Sequence, residues 1–76
     1  MGHDLPMVTA RELVSVLESL GFQARPMVAT GHRRYVHPDG RRTTVPFHAG
    51  GDIGRGLLRK ILKDIDLSSD KLKELL

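Results

Sequence analysis

Apolar residues recur at helical spacing near the start of the chain. They lie three or four positions apart: Leu13, Val16, Leu17 and Leu20. Such a stripe is typical of an amphipathic helix that buries one side. Thr9 and Glu12 have the spacing of a capping box, in which each side chain accepts a hydrogen bond from the other residue's backbone N–H. Gly21 stands where helices often end in a left-handed residue. The pattern predicts a helix over residues 9–20.

A second apolar stripe follows in the last third of the chain: Leu57, Leu58, Ile61, Leu62 and Ile65. It predicts a helix over residues 53–64, with Asp52 as its N-cap. Ser68 or Ser69 is then a candidate cap for a short last helix over residues 70–76. This last helix either packs on the body of the domain or joins a partner.

Between the two stripes, three runs have the residue pattern of strands, residues 22–28, 32–37 and 42–47. Pro38-Asp39-Gly40 joins the last two runs and is a hairpin signal. The predicted fold is therefore α+β, in the order α-β-β-β-α with a short extra C-terminal helix. Two helices would cover one face of a three-stranded antiparallel sheet. This order matches the architecture of double-stranded-RNA-binding domains.

Alternation along the middle run assigns its side chains to two faces. One face carries His32, Arg34 and Val36, and the other carries Arg33, Tyr35 and His37. Tyr35 has the largest apolar body, so we expect it to face the helices, with Val45 and Phe47 beside it.

The chain has 76 residues and no cysteine, which excludes a disulfide framework. We expect one domain over residues 9–76, preceded by a loose arm over residues 1–8, where Pro6 disfavours a helix. No apolar run approaches the ~18 residues of a membrane span, and the start does not resemble a signal peptide. A soluble cytoplasmic protein is the expectation.

Charge is distributed unevenly along the chain. Residues 22–63 contain nine basic and two acidic residues, a net charge of +7, whereas the two ends together carry −4. A basic middle between acidic ends is typical of nucleic-acid binding. The alternative, a solvated surface on a small basic protein, fits the charge equally well.

His32 is the first candidate for chemistry, because histidine can transfer protons near neutral pH. RNA cleavage without a metal needs a base for the 2′-hydroxyl, an acid for the leaving 5′-oxygen and cations for the phosphate. Arg33 and Arg34 follow His32 directly, and Gly31 leaves room for a nucleotide to approach the backbone. An ordinary histidine at a strand entry is the alternative interpretation.

The other histidines are weaker candidates. His48 follows the third run and would approach His32 in an antiparallel sheet, so it is a possible second acid or base. His37 is most simply a turn residue that hydrogen-bonds locally. No zinc-ligand spacing is present, so we expect no metal and no other cofactor.

Two further basic groups are either solvated surface or contacts for RNA phosphates. One is at the hairpin tip, and the other is on the second helix: Arg41, Arg42, Arg55, Arg59, Lys60 and Lys63. The three aromatic residues are expected in the core, which leaves no ring for stacking bases. Apart from catalysis, a non-catalytic RNA-binding module of the same fold and a small DNA-binding protein remain as alternatives.

An ordered set of short motifs between residues 9 and 68 resembles the HicA (YcfA-like) family of mRNA interferase toxins from type II toxin–antitoxin systems. The motifs are Glu12-Leu13, Leu17, Gly21-Phe22, Gly31-His32, Tyr35, His37-Pro38-Asp39-Gly40, Thr44-Val45-Pro46, His48, and Gly56 with Ile61-Leu62-Lys63.

The resemblance implies an endoribonuclease that cleaves mRNA without a metal, through one histidine on the second strand. His32 matches that histidine. The family motif is usually Gly-Ser-His, whereas this chain has Thr30-Gly31-His32. The resemblance also implies a HicB-type antitoxin that neutralises the toxin by covering the site.

Overall fold

The part of the chain that the structure describes forms three strands and three helices. The computed structural model describes residues 5–26, 31–47 and 51–76. The elements in chain order are α1 (Ala10–Ser19), β1 (Gln23–Ala24), β2 (His32–Val36), β3 (Arg42–Pro46), α2 (Arg55–Asp64) and α3 (Ser69–Leu75). The strands form one antiparallel sheet in the order β1-β2-β3. The predicted α+β class and the predicted order of elements are confirmed.

α1 begins and ends where its sequence signals lie. The Thr9 hydroxyl accepts from the Glu12 N–H at 3.1 Å, and the Glu12 carboxylate accepts from the Thr9 N–H at 2.9 Å. At the other end Gly21 has a φ of +98°, and the Phe22 N–H donates to the Leu17 carbonyl at 3.0 Å. These are the bonds of a capping box and of a Schellman ending, so local sequence is sufficient to set both limits of the helix.

α2 begins two residues later than predicted, and Asp52 is not its cap. The N-cap is Gly54, which makes no side-chain cap bond. The Ile53 N–H donates instead to the Val8 carbonyl at 2.7 Å, and Asp52 forms an isolated antiparallel bridge with Thr9. The prediction was wrong because the N-terminal segment binds the backbone that a longer helix would have used.

The same contact shows that the prediction of a loose arm over residues 1–8 was wrong for residues 5–8. Val8 is fully buried and Leu5 is nearly so. Both belong to the hydrophobic core. Residues 1–4 lie outside the described residues. Burial of each such side chain stabilises the fold by about 1.5–3 kcal/mol, which is enough to hold this segment against the body.

The core fills the space between the helices and one face of the sheet. Tyr35 and Val45 enter it from the strands, as predicted, with exposures of 1% and 0%. Phe47 packs against its margin. Leu72 of α3 is also fully buried, so this last helix packs on the body. Its N-cap is Ser68, whose hydroxyl accepts from the Lys71 N–H.

The strand limits differ slightly from the predicted runs. β2 and β3 each end one residue earlier than predicted. β1 is only two residues long within the described part of the chain, and residues 27–30 of its predicted run and the following bend lie outside it. Among the helices in the described ranges, none is long and apolar enough to cross a membrane.

Candidate functional site

The sheet has one covered face and one open face. Tyr35 and Thr43 are cross-strand partners and both are buried under the helices. Since successive side chains point to opposite faces, their neighbours point away from the helices. We call this set the open face, and the register assigns to it Gln23, Arg25, His32, Arg34, Val36, Arg42 and Thr44. Pro46, the last residue of β3, is buried and is not part of it.

His32 occupies the first position of β2 on the open face. It pairs with Pro46 of β3 and is half-buried. Gly31 before it has a φ of +81°, a conformation that favours glycine, and its carbonyl accepts from the Phe47 N–H at 2.9 Å. Gly31 therefore turns the chain into the strand and closes the ladder beside His32. Thr30 and His48, the other predicted neighbours of His32, lie outside the described residues.

Three arginines share the open face with His32. Arg34 is two residues along β2, so its Cα lies about 7 Å from that of His32. Arg25 lies directly across from Arg34, because the Arg25 N–H donates to the Arg34 carbonyl at 2.8 Å. Arg42 adds a third cation from β3. Among the described residues of this face there is no acid. Like charges on facing strands destabilise a sheet, which makes the cluster costly unless it binds an anion.

Arg25 was missing from the residues that the sequence singled out for RNA binding. The signal was nevertheless present in the alternation. Phe22 is buried, so residues 23 and 25 point outward when the segment is extended. Residues 22–28 were predicted as a strand, but alternation was applied only to the middle run, so Arg25 was not assigned to a face.

Arg33 lies on the opposite side of the sheet from His32. It pairs with Val45, which is fully buried, and its Nε is buried without a hydrogen-bond partner in the described part of the chain. Burial raises the pKa of the Tyr35 hydroxyl, and the nearby Arg33 guanidinium partly offsets the rise. Arg33 therefore lies on the core side of the sheet and not on the open face.

Arg41 is bound within the fold. Its Nε donates to Asp39 at 2.8 Å, its Nη1 donates to the Ile65 carbonyl at 2.6 Å, and its guanidinium lies 5.2 Å from the centre of the Phe22 ring. The backbone N–H of Arg41 also donates to Asp39 and is the main reason why the pKa of Asp39 is lowered. Arg41 thus links the hairpin turn to the end of α2.

His37 joins the hairpin to the end of α1. Its Nε2 lies 3.0 Å from the Leu20 carbonyl, which can only accept, so Nε2 carries the hydrogen. Nδ1 then accepts from the Asp39 N–H at 3.1 Å. The ring also meets Phe22 edge-on at 5.0 Å. The local bond to Asp39 is the turn role that the sequence predicted.

The cations of α2 do not form one surface. The Lys60 Nζ lies 3.1 Å from an oxygen of Asp64, and that same oxygen accepts from the Thr43 hydroxyl of β3 at 3.0 Å. Lys60 therefore lies on the flank beside β3. At 3.6 residues per turn, Arg59 is about 140° around the helix from Asp64. Arg55 and Lys63 are exposed like Arg59. Of these four, Lys60 is the one that the fold brings to the sheet.

No three histidine, aspartate or glutamate side chains are grouped so that they could hold a metal ion, within the ranges that the structure describes. The open face presents one imidazole and three guanidinium groups among the described residues.

Comparison with known families gives one match. The model of the HicA toxin of bacterial toxin–antitoxin systems matches residues 10–67 of the 76 residues. The chain belongs to the HicA toxin family. The match runs from the first residue of α1 to just past α2, so it includes the whole sheet and leaves α3 outside. No curated protein sequence matches the chain.

Membership of the HicA family identifies the chain as the toxin of a toxin–antitoxin system, whose partner is an antitoxin protein. The family is known in general terms for ribonuclease activity. The predicted resemblance is confirmed, and its extent, residues 9–68, agrees with the matched range to within a residue at each end.

Proposed function

We propose that this HicA-family toxin is an endoribonuclease that cleaves mRNA without a metal and uses His32 as a general acid or base. The observation that carries the proposal is the open face itself. It brings the one described histidine that faces away from the helices into line with three arginines and with no described acid. Such a face attracts a polyanion and offers it one proton-transfer group.

The reaction needs two proton transfers. A base takes the proton of the 2′-hydroxyl, the 2′-oxygen attacks the adjacent phosphorus, and the bond to the 5′-oxygen breaks as an acid protonates that oxygen. His32 supplies one of these transfers, which is worth roughly 10²–10⁴-fold in rate. We propose His48 as the other group. Arg34 lies on the same face of the same strand and stabilises the charge that builds up on the phosphate oxygens.

RNA binding in this proposal is mainly electrostatic. Arg25, Arg34 and Arg42 contact the phosphates, and Lys60 of α2 extends this surface beside β3. The exposed Arg55, Arg59 and Lys63 add longer-range electrostatic attraction for RNA. Phe22 and Tyr35 are buried, so they offer no ring on which bases could stack. Binding is therefore expected to depend steeply on salt and weakly on base identity.

The partner in this proposal is a HicB-type antitoxin that covers the open face and so hides His32. Because the substrate is mRNA, we place the toxin in the cytoplasm.

Arg33 and Arg41 are assigned to the fold and not to RNA binding. Arg33 points to the core side of the sheet, and Arg41 donates to the carbonyl of Ile65 at the end of α2.

The experiment compares wild type, His32→Asn and Gln23→Ala for cleavage of single-stranded RNA, with and without a chelator. Asparagine keeps a hydrogen-bonding group but cannot transfer a proton near neutral pH, so cleavage should fall at least 10²-fold. Gln23 lies uncharged on the same face and is the matched control, which should cleave like wild type. Melting temperatures check that each variant folds.

Equal cleavage by His32→Asn and wild type would overturn the catalytic role of His32. Loss of wild-type activity on chelation would overturn the metal-free mechanism. RNA binding by wild type without any cleavage would instead support the non-catalytic RNA-binding module.

A further inference from the structure

A polar cleft lies where the free edge of the sheet meets α2. It has a volume of about 470 Å³ and is lined by Arg34, Arg42, Thr43, Thr44, Lys60 and Asp64. We call it the β3–α2 cleft. Its three cations and one carboxylate leave an excess of two positive charges. Arg34 and Arg42 also belong to the open face, so the cleft continues the surface that carries His32.

Within the described residues, the backbone of β3 runs along this cleft at the edge of the sheet. β3 is the last strand of the sheet. Just beyond the two ends of β2, the Phe47 N–H donates to the Gly31 carbonyl at 2.9 Å and the His37 N–H donates to the Arg41 carbonyl at 2.8 Å. In an antiparallel ladder the residues that bond to the neighbour alternate with those that do not. Arg42 and Thr44 therefore direct both their N–H and their C=O groups away from β2, to the edge of the sheet. The two N–H donors can bind an anion in the cleft.

The edge is poorly suited to adding another strand. Pro46 has no N–H to donate, and Arg42 places a charge on the edge, two features that discourage strand pairing. The partner that best fits N–H donors at the edge beside three cations is a compact anion.

Lys60 is held at the mouth of the cleft by a buried anchor. Thr43 is 4% exposed, and its hydroxyl fixes the Asp64 carboxylate, which in turn binds Lys60. The lysine side chain itself is 70% exposed. An exposed ion pair of this kind contributes little stability, so Lys60 can exchange Asp64 for a phosphate at small cost.

We propose that the β3–α2 cleft binds a phosphate of the single-stranded RNA next to the one whose ester is cleaved at His32. This inference rests on the proposed ribonuclease function. It assigns the path of the RNA across the sheet, which runs from His32 past Arg34 to Lys60. Backbone contacts carry no base information, so this subsite holds the RNA in place regardless of sequence.

The test uses two matched pairs of variants in the His32→Asn protein, which binds RNA without consuming it. Lys60→Gln and Asp64→Asn alter the cleft. Lys71→Gln and Glu74→Gln alter the same kind of exposed ion pair on α3, where Lys71 and Glu74 lie 3.5 Å apart. The probe is a single-stranded RNA of mixed sequence, and its Kd is measured over a range of salt concentrations. Poly-glutamate is the competing anion, and wild-type cleavage is measured in parallel.

Lys60→Gln should weaken binding by about three- to tenfold and reduce the slope of log Kd against log salt by about 0.7. Asp64→Asn removes the single acid of the cleft and should tighten binding by about two- to threefold. Both α3 variants should bind like the parent. Thermal melts exclude misfolding as the cause.

If wild type cleaves RNA but Lys60→Gln and Lys71→Gln bind RNA equally well, the phosphate subsite in the cleft is refuted, while the proposed ribonuclease function stands. Absence of both cleavage and RNA binding would overturn the proposed function, and the cleft with it. Competition by poly-glutamate as strong as that by RNA at matched salt would show a cleft for acidic protein segments and overturn the RNA assignment.

Discussion

Arg25→Glu should make the protein more stable and a poorer binder of RNA. Arg25 and Arg34 are cross-strand neighbours on the open face, and both are exposed. Two like charges in this position destabilise a sheet, whereas opposite charges contribute roughly 0.2–1 kcal/mol. Replacing one cation by a carboxylate removes the repulsion and adds the attraction. We expect a gain of about 1 kcal/mol in the free energy of unfolding.

The same substitution removes one phosphate contact and adds a charge that repels RNA. A charged contact contributes about 1.5–3 kcal/mol, so the Kd should rise by about tenfold or more. The slope of log Kd against log salt should fall by about 0.7. A gain of about 1 kcal/mol corresponds to a melting temperature about 4–8 °C higher for a chain of this size.

The assay pairs thermal unfolding with RNA binding in low and moderate salt. Lys73→Glu, which makes the same charge change on α3, is the control and should leave RNA binding nearly unchanged. A melting temperature below that of wild type would refute the cross-strand pairing of Arg25 with Arg34. A more stable variant that binds RNA like Lys73→Glu would refute the open face as the RNA surface.

Three further predictions concern the scaffold. Gly21→Ala should lower the free energy of unfolding by about 1 kcal/mol more than Gly40→Ala does. Both glycines have φ near +100°. A Cβ at Gly21 would lie 3.2 Å from His37 Nε2, whereas a Cβ at Gly40 would have no described atom within 4 Å. Equal losses would show that this contact does not matter. Asp66→Gly should raise the free energy of unfolding by about 0.5–1 kcal/mol, because Asp66 has a φ of +57° and places a negative charge after the C-terminus of α2; a lower midpoint in denaturant would contradict this. Tyr35 is the only tyrosine, so phenolate absorbance reports it alone, and its pKa should lie above the ordinary 10.0 because the ring is buried. Because this pKa is raised, its contribution to stability is complete below pH 10.0 and is lost as pH rises through the folded pKa. Tyr35→Phe has no phenol to ionise, so its stability should fall less between neutral and alkaline pH than that of wild type. An equal fall in both proteins would contradict the linkage.

Much of the fold follows from short-range pattern. The capping box of Thr9 and Glu12, the left-handed Gly21 and the alternation around Tyr35 all involve residues within one turn or one strand. Interactions at such short separation do not depend on the rest of the chain, so they can be read before the fold is known. They were sufficient for the order of elements and for the orientation of His32.

The predicted site was only partly resolved by this kind of pattern. Adjacent arginines look alike in the sequence, yet Arg34 lies on the open face while Arg33 lies on the side of the core. Alternation along the strand predicts this difference, because neighbouring side chains point to opposite faces. Arg25 could have been found by the same rule, had alternation been applied to the predicted strand over residues 22–28 and not only to the middle run.

What the sequence alone determined was the family, the order of elements and the face on which His32 lies, because these depend on residue types at fixed short spacings. The tertiary structure decided how the basic residues are used. Arg41 binds the Ile65 carbonyl, 24 residues away, and Thr43 fixes Asp64, 21 residues away, which brings Lys60 to the edge of the sheet. Contacts between such distant residues depend on how helices and strands pack, and no local pattern specifies them.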